Sequence, residues 1–186
     1  MIPYGRQDIT QADLDAVLGV LQSDFLTQGP QVPAFEAALC DHIGACHGVA
    51  MNSATSALHI ACLALGLAPG DRLWTSPITF VASSNAALAC GAQVDFVDIE
   101  PDTFNMCPKA LEAKLQDAAR TDALPKIVVP VAMCGQPCDM AAIRALADRY
   151  GFAILEDASH AIGGRYKGAY VGNGAYADIS VFSFHP

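Results

Sequence analysis

An apolar run of strand length, Phe152-Ala153-Ile154-Leu155, ends abruptly in two carboxylates, Glu156 and Asp157, and continues as Ala158-Ser159-His160-Ala161. In an open α/β sheet, the carboxyl ends of the strands open onto the crevice where ligands sit, which makes Asp157 the first candidate for a functional carboxylate. The same pair also reads as a solvated strand end or a helix N-cap, and the run alone does not separate the two. A second chemical point is Asn52-Ser53-Ala54-Thr55-Ser56. It joins the apolar stretch Gly48-Val49-Ala50-Met51, read as a short strand, to a helix marked by Leu58, Cys62 and Leu65 and closed at Gly66. Small residues let a ligand approach the backbone, and the amides of Ala54, Thr55 and Ser56, with the helix dipole, make an anion site. The Gly-rich frame and lysine of a P-loop are absent, and an ordinary Ser/Thr-capped helix would carry the same residues. Phe80 opens a third point, the start of a helix of small residues ending at Gly91. An aromatic ring in that place either fills the core or stacks on a flat ligand beside a strand end.

The elements that must position these residues follow from periodicity. Thr10 and Asp13 resemble a capping box, and Leu14, Val17, Leu18 and Leu21 repeat at helical spacing, predicting an amphipathic helix that stops near Ser23. A loop through Gly29-Pro30 leads to a second helix from Pro33 to His42. From residue 48 onward strands and helices alternate: Asp71–Pro77 as strand and loop, Val94–Ile99 as strand, Pro108–Leu115 as helix and Ile127–Val131 as a continuous apolar strand. A helix on Met140, Ile143, Leu146 and Ala147 and a last strand at Ile179–Phe184 complete the series. That order predicts a mostly parallel sheet with helices on both faces. The division expected is a helical segment at 1–47 and a sheet-bearing domain at 48–186. The sequence stops at His185-Pro186 directly after a strand, so the expectation is an N-terminal piece of a longer protein.

Composition bounds the alternatives. A chain of 186 residues, 53% hydrophobic and 16% charged, can bury a sizeable core. With 10 Lys and Arg and a net charge of −9, it lacks the clustered cations of a nucleic-acid surface, so any anion must be held locally by amides or a helix end. Apolar runs fall short of the roughly 20 residues that span a bilayer, and the first residues do not form an export signal. The expected location is cytoplasmic, with neither membrane nor nucleic acid as a partner. Seven cysteines then read as reduced thiols. Cys40, His42, Cys46 and His47 match no paired zinc-ligand spacing, so no metal is expected. Cys134 and Cys138, with three residues between them in a loop, read as incidental thiols and not as a redox pair.

Four motifs carry a resemblance. Asn52-Ser53-Ala54-Thr55-Ser56-Ala57-Leu58, Thr79-Phe80-Val81-Ala82, Glu156-Asp157-Ala158-Ser159-His160 and Phe182-Ser183-Phe184-His185-Pro186 stand in the order and approximate spacing of the DegT-type nucleotide-sugar aminotransferases. The resemblance implies the large domain of a pyridoxal-phosphate-dependent transferase of fold type I, cut before its C-terminal small domain. It implies pyridoxal 5'-phosphate as cofactor, a UDP-linked 4-keto-6-deoxy sugar as substrate, an amino acid (glutamate) as donor, and a homodimer at full length. By the same resemblance, Asp157 faces the pyridine nitrogen and Phe80 stacks on the ring. Ala54, Thr55 and the Ser183 hydroxyl hold the phosphate, and Tyr4, Gly5 and Thr27 shape the sugar side. Many relatives carry Gln where this chain has His160, whose imidazole N–H can donate the same bond to the cofactor's phenolic oxygen. Ser183 and His185 begin a Ser-x-His-x-x-Lys pattern whose lysine would fall two positions after Pro186. No catalytic lysine is therefore expected within the chain, and these residues alone are not expected to complete a turnover. A sugar dehydratase of the same fold, with His in place of that lysine, and a non-catalytic truncated homologue are the competing implications.

Overall fold

A computed structural model describes residues 7–185. The expectations placed on Tyr4 and Gly5 lie outside that range. Helix α1 (Gln11–Leu21) starts where expected, with the Thr10 amide donating to Asp13 Oδ2 at 2.7 Å. Its apolar stripe of Leu14, Val17, Leu18 and Leu21 is exposed, and no α1 residue is buried. Helix α2 (Gln31–Ile43) starts two residues before Pro33 and ends at Gly44 in the left-handed conformation, with φ of 79°. Helix α3 (Ala54–Ala64) is capped by Ser53, whose Oγ accepts from the Ser56 amide at 3.1 Å.

One expected element is absent. Gly48–Met51 forms no strand: Val49 is 74% exposed, and with no face buried the stretch gains nothing from joining the sheet. The Ala50 amide is satisfied instead by Glu36 Oε1 of α2 at 2.7 Å.

The chain then alternates through β1 (Arg72–Thr75), α4 (Ala82–Ala89), β2 (Gln93–Phe96), α5 (Pro108–Arg120), β3 (Ile127–Val129), α6 (Met140–Tyr150) and β4 (Ala153–Asp157). Proline fits the first position of α5 because its missing N–H would have no intrahelical partner there. A small antiparallel hairpin, β5 (Arg165–Tyr166) with β6 (Ala169–Tyr170), precedes β7 (Ile179–Val181). The main sheet is parallel throughout, in the order β2-β1-β3-β4-β7. After β1 the chain adds β2 on one side and β3 on the other, and this reversal opens a crevice at the carboxyl end of β1.

The two-residue period of the strands divides the core. Leu73, Ile127, Val129 and Leu155 pack under α3 and α4, with Leu58, Cys62, Ala86 and Ala87. Trp74, Val128 and Ile154 face α5 and α6, with Leu111, Leu115, Ile143 and Ala147. Full burial of such aliphatic side chains contributes roughly 1.5–3 kcal/mol each. The helices thus cover both faces, as the alternation of elements predicts.

Candidate functional site

The register of β4 decides what its two carboxylates can do. Leu155 lies on the α3/α4 face and Ile154 on the α5/α6 face, so the period of two sends Asp157 toward α3/α4 and Glu156 to the opposite side. Hydrogen bonds follow that division. Ser83 of α4 donates to Asp157 Oδ2 at 2.7 Å, and Ser159 donates to Oδ1 from its amide at 3.2 Å and its hydroxyl at 2.6 Å. Glu156 Oε2 accepts from Ser180 of β7 at 2.6 Å. Asp157 is only 4% exposed, and three donors fix its carboxylate plane at the carboxyl end of the strand. Its backbone is held too: the Asp157 amide donates to Pro130 O at 2.9 Å and its carbonyl accepts from the Ala132 amide at 3.0 Å. Burial pushes the Glu156 carboxyl above the ordinary glutamate range, against the opposing pull of the Ser180 and Gly172 hydrogen bonds.

The amino end of α3 supplies the second component. Ser53 Oγ takes the Ser56 amide and Ser53 O takes the Ala57 amide, while the amides of Ala54 and Thr55 find no acceptor among the described residues. These are the orphan donors of a helix start, backed by the helix dipole, and they suit an anion. Helix α3 packs beside α4 and across β4 and β7, so its first turn belongs to the same layer that holds Asp157. Phe80 precedes α4 and is 71% exposed, so its ring is not core. Ser183, two residues beyond β7, is half-buried and its Oγ accepts from the His185 amide at 3.2 Å.

The remaining candidates are less tied in. His160 is exposed in the turn after β4, and its backbone carbonyl would lie 2.9 Å from a Cβ at Gly135, which has φ of +86°. Only glycine fits there, so the loop after β3 packs directly on the backbone carrying His160. Thr27 is exposed in the bend after α1. Cys138 is buried and donates to Val131 O at 3.3 Å, and burial pushes its thiol up to about 12. A thiol so held is not a reactive thiolate.

Two residues that carry the site escaped sequence reasoning. Ser159 follows a recognisable pattern, since an Asp side chain commonly accepts from the amide two residues on. Ser83 left no such trace: it is a serine in a helix of small residues, and its acceptor is 74 positions away.

The fold, a parallel sheet covered by helices on both faces, is that of a class: pyridoxal-phosphate-dependent aminotransferases. The chain belongs to the DegT/DnrJ/EryC1/StrS aminotransferase family, whose model matches residues 7–186. It is 46% identical, over all 186 residues, to the UDP-4-amino-4,6-dideoxy-N-acetyl-beta-L-altrosamine transaminase of Campylobacter jejuni subsp. jejuni serotype O:23/36, covering 48% of that protein. Among solved structures it resembles Helicobacter pylori PseC, an aminotransferase involved in the biosynthesis of pseudoaminic acid. The TM-score is 0.90 at 34% identity, over 98% of this chain and 47% of that one. A DegT DnrJ EryC1 StrS aminotransferase from Brucella abortus gives a TM-score of 0.88 at 32% identity, over 93% of this chain and 46% of the other. The chain spans about half the length of these relatives. The family's aminotransferases depend on pyridoxal 5'-phosphate.

Proposed function

We propose that this chain is the cofactor-holding part of an enzyme that moves an amino group from an amino acid, glutamate, to the 4-keto carbon of a UDP-linked 6-deoxy sugar. The observation that carries the reading is Asp157: a buried carboxylate with three donors, on the sheet face that also bears the orphan amides of α3. These residues fit pyridoxal 5'-phosphate by their chemistry. Ala54 and Thr55 offer amides, and Ser183 a hydroxyl, to the phosphate dianion. Asp157 offers a fixed anion to the ring nitrogen, Phe80 a ring face to the pyridine, and His160 an N–H to the phenolic oxygen. When bound, the cofactor supplies an electron sink for the carbanion that amino transfer requires. The chain's part is to hold that ring protonated at nitrogen and fixed in orientation.

Tyr4, Gly5 and Thr27 contribute to the sugar side in this reading. Ser183 and His185 match the first two members of a Ser-x-His-x-x-Lys pattern, and a second copy completes the site in a homodimer. The similarity to the Campylobacter jejuni transaminase supports a pseudaminic-acid-type sugar substrate, and a cytoplasmic location is part of the same reading. No helix among the described residues is long and apolar enough to cross a membrane.

The test is to incubate the gene product, at the length the organism makes, with cofactor, L-glutamate and a UDP-linked 4-keto-6-deoxy-N-acetylhexosamine. The expected result is one 2-oxoglutarate released per 4-amino sugar formed. Deoxygenation of the sugar without nitrogen uptake would instead mark a dehydratase, and no change in either partner would refute both.

A further inference from the structure

Ser83 lies at the junction of two candidate cofactor contacts. Its Oγ stands 2.7 Å from Asp157 Oδ2, 2.8 Å from Thr79 Oγ1 and 3.2 Å from Phe80 O. A hydroxyl has one proton to give, and a carboxylate at the shorter distance is the stronger acceptor than a carbonyl at the longer one. The Ser83 proton therefore goes to Asp157. The bond at 2.8 Å must then be made by the other hydroxyl, with Thr79 donating into a Ser83 lone pair. Ser83 is 1% exposed, so water does not compete for these bonds.

The result is a directed chain, Thr79 to Ser83 to Asp157, that ties the turn 79–83 to the end of β4. Phe80 lies inside that turn. One hydroxyl thus fixes the carboxylate plane and, through the turn it closes, the start of α4 from which the Phe80 ring projects. On the reading that the site takes pyridoxal phosphate, these are the wall that meets the ring nitrogen and the wall that meets the ring face. We infer that Ser83 is a positioning residue for a flat heteroaromatic ligand, acting through Asp157 and supported by Thr79. A purely structural role is the alternative, because a helix-start hydroxyl that bonds the carbonyl three residues back does so whatever Asp157 does.

Pyridoxamine phosphate labelled with 15N in the ring separates the two roles, since it needs no lysine to bind. Titrated into the gene product at the length the organism makes, cleared of bound cofactor, it should lose about tenfold in affinity on Ser83→Ala, the scale of one hydrogen bond to a charged group. Its bound 15N resonance should move toward that of the free ligand. Ser83→Thr, which keeps the hydroxyl, should restore both readings, and Thr79→Val should shift both in the Ser83→Ala direction by less. Circular dichroism and melting temperature keep these comparisons among folded chains. Should Ser83→Ala destabilise the fold, Thr79→Val alone decides, because Thr79 is only half-buried. An unmoved 15N resonance in the folded Ser83→Ala and Thr79→Val chains would overturn the inference and leave the cofactor reading standing. Failure of the wild-type chain to bind the ligand would overturn that reading, and this inference with it.

Discussion

Glu156 and Asp157 are adjacent in sequence and stand on opposite faces of the sheet, one bonded to Ser180 of β7 and the other to Ser83 of α4. The division assigns them different work. Asp157 belongs to the candidate site, and Glu156 fastens β4 to β7 in the layer behind it.

Glu156 gives a pH prediction. Burial raises its carboxyl above the ordinary 4.5, so the folded chain binds this proton more tightly than the unfolded chain does. The stability that Glu156 contributes is complete below the unfolded value and is lost as pH rises through the raised folded value. Glu156→Gln keeps an acceptor for Ser180 but cannot ionise. The gap in unfolding free energy between variant and wild type should therefore move in the variant's favour as pH rises across that window. Urea unfolding at several pH values measures it, and a gap independent of pH would contradict the assignment.

Phe80 separates stability from binding. With Phe80 71% exposed, Phe80→Ala should change stability by no more than about 0.5 kcal/mol. Its affinity for pyridoxamine phosphate should fall roughly two- to tenfold, corresponding to about 0.5–1.5 kcal/mol of aromatic stacking. A large loss of stability with unchanged affinity would return Phe80 to the core.

Thr55 tests the phosphate end. It is the second residue of α3, where proline is tolerated because the amide has no intrahelical acceptor. Thr55→Pro should preserve the circular dichroism spectrum and weaken pyridoxamine phosphate binding about tenfold, the scale of one hydrogen bond to a charged group. Full affinity in the folded variant would place the phosphate elsewhere.

What was legible in the chain depended on how local the cause was. The apolar run ending at Asp157 marks a strand and its carboxyl end because both signals lie within six residues. The alternation of strands and helices likewise reports a parallel sheet. Gly48–Met51 is equally apolar yet forms no strand, because a strand needs a neighbour and Ala50 is tied to Glu36 instead. The β5–β6 hairpin went unread, since two-residue strands around Lys167-Gly168 carry no apolar run. The stripe on α1 has the right period but covers nothing among the described residues, as periodicity reports an apolar face and not its partner. Ser83 was invisible for the opposite reason: its role exists only once α4 has packed against β4.

The central claim is that Asp157 is the anion facing a pyridine nitrogen in this chain. Isothermal titration of pyridoxamine phosphate into the wild-type chain and into Asp157→Ala tests it directly, with circular dichroism as the control for folding. One saturable site per chain in the wild type, weakened roughly ten- to hundredfold in the variant, is the predicted result, as expected for loss of a charge-assisted hydrogen bond. Equal affinity in a folded Asp157→Ala chain would contradict the account.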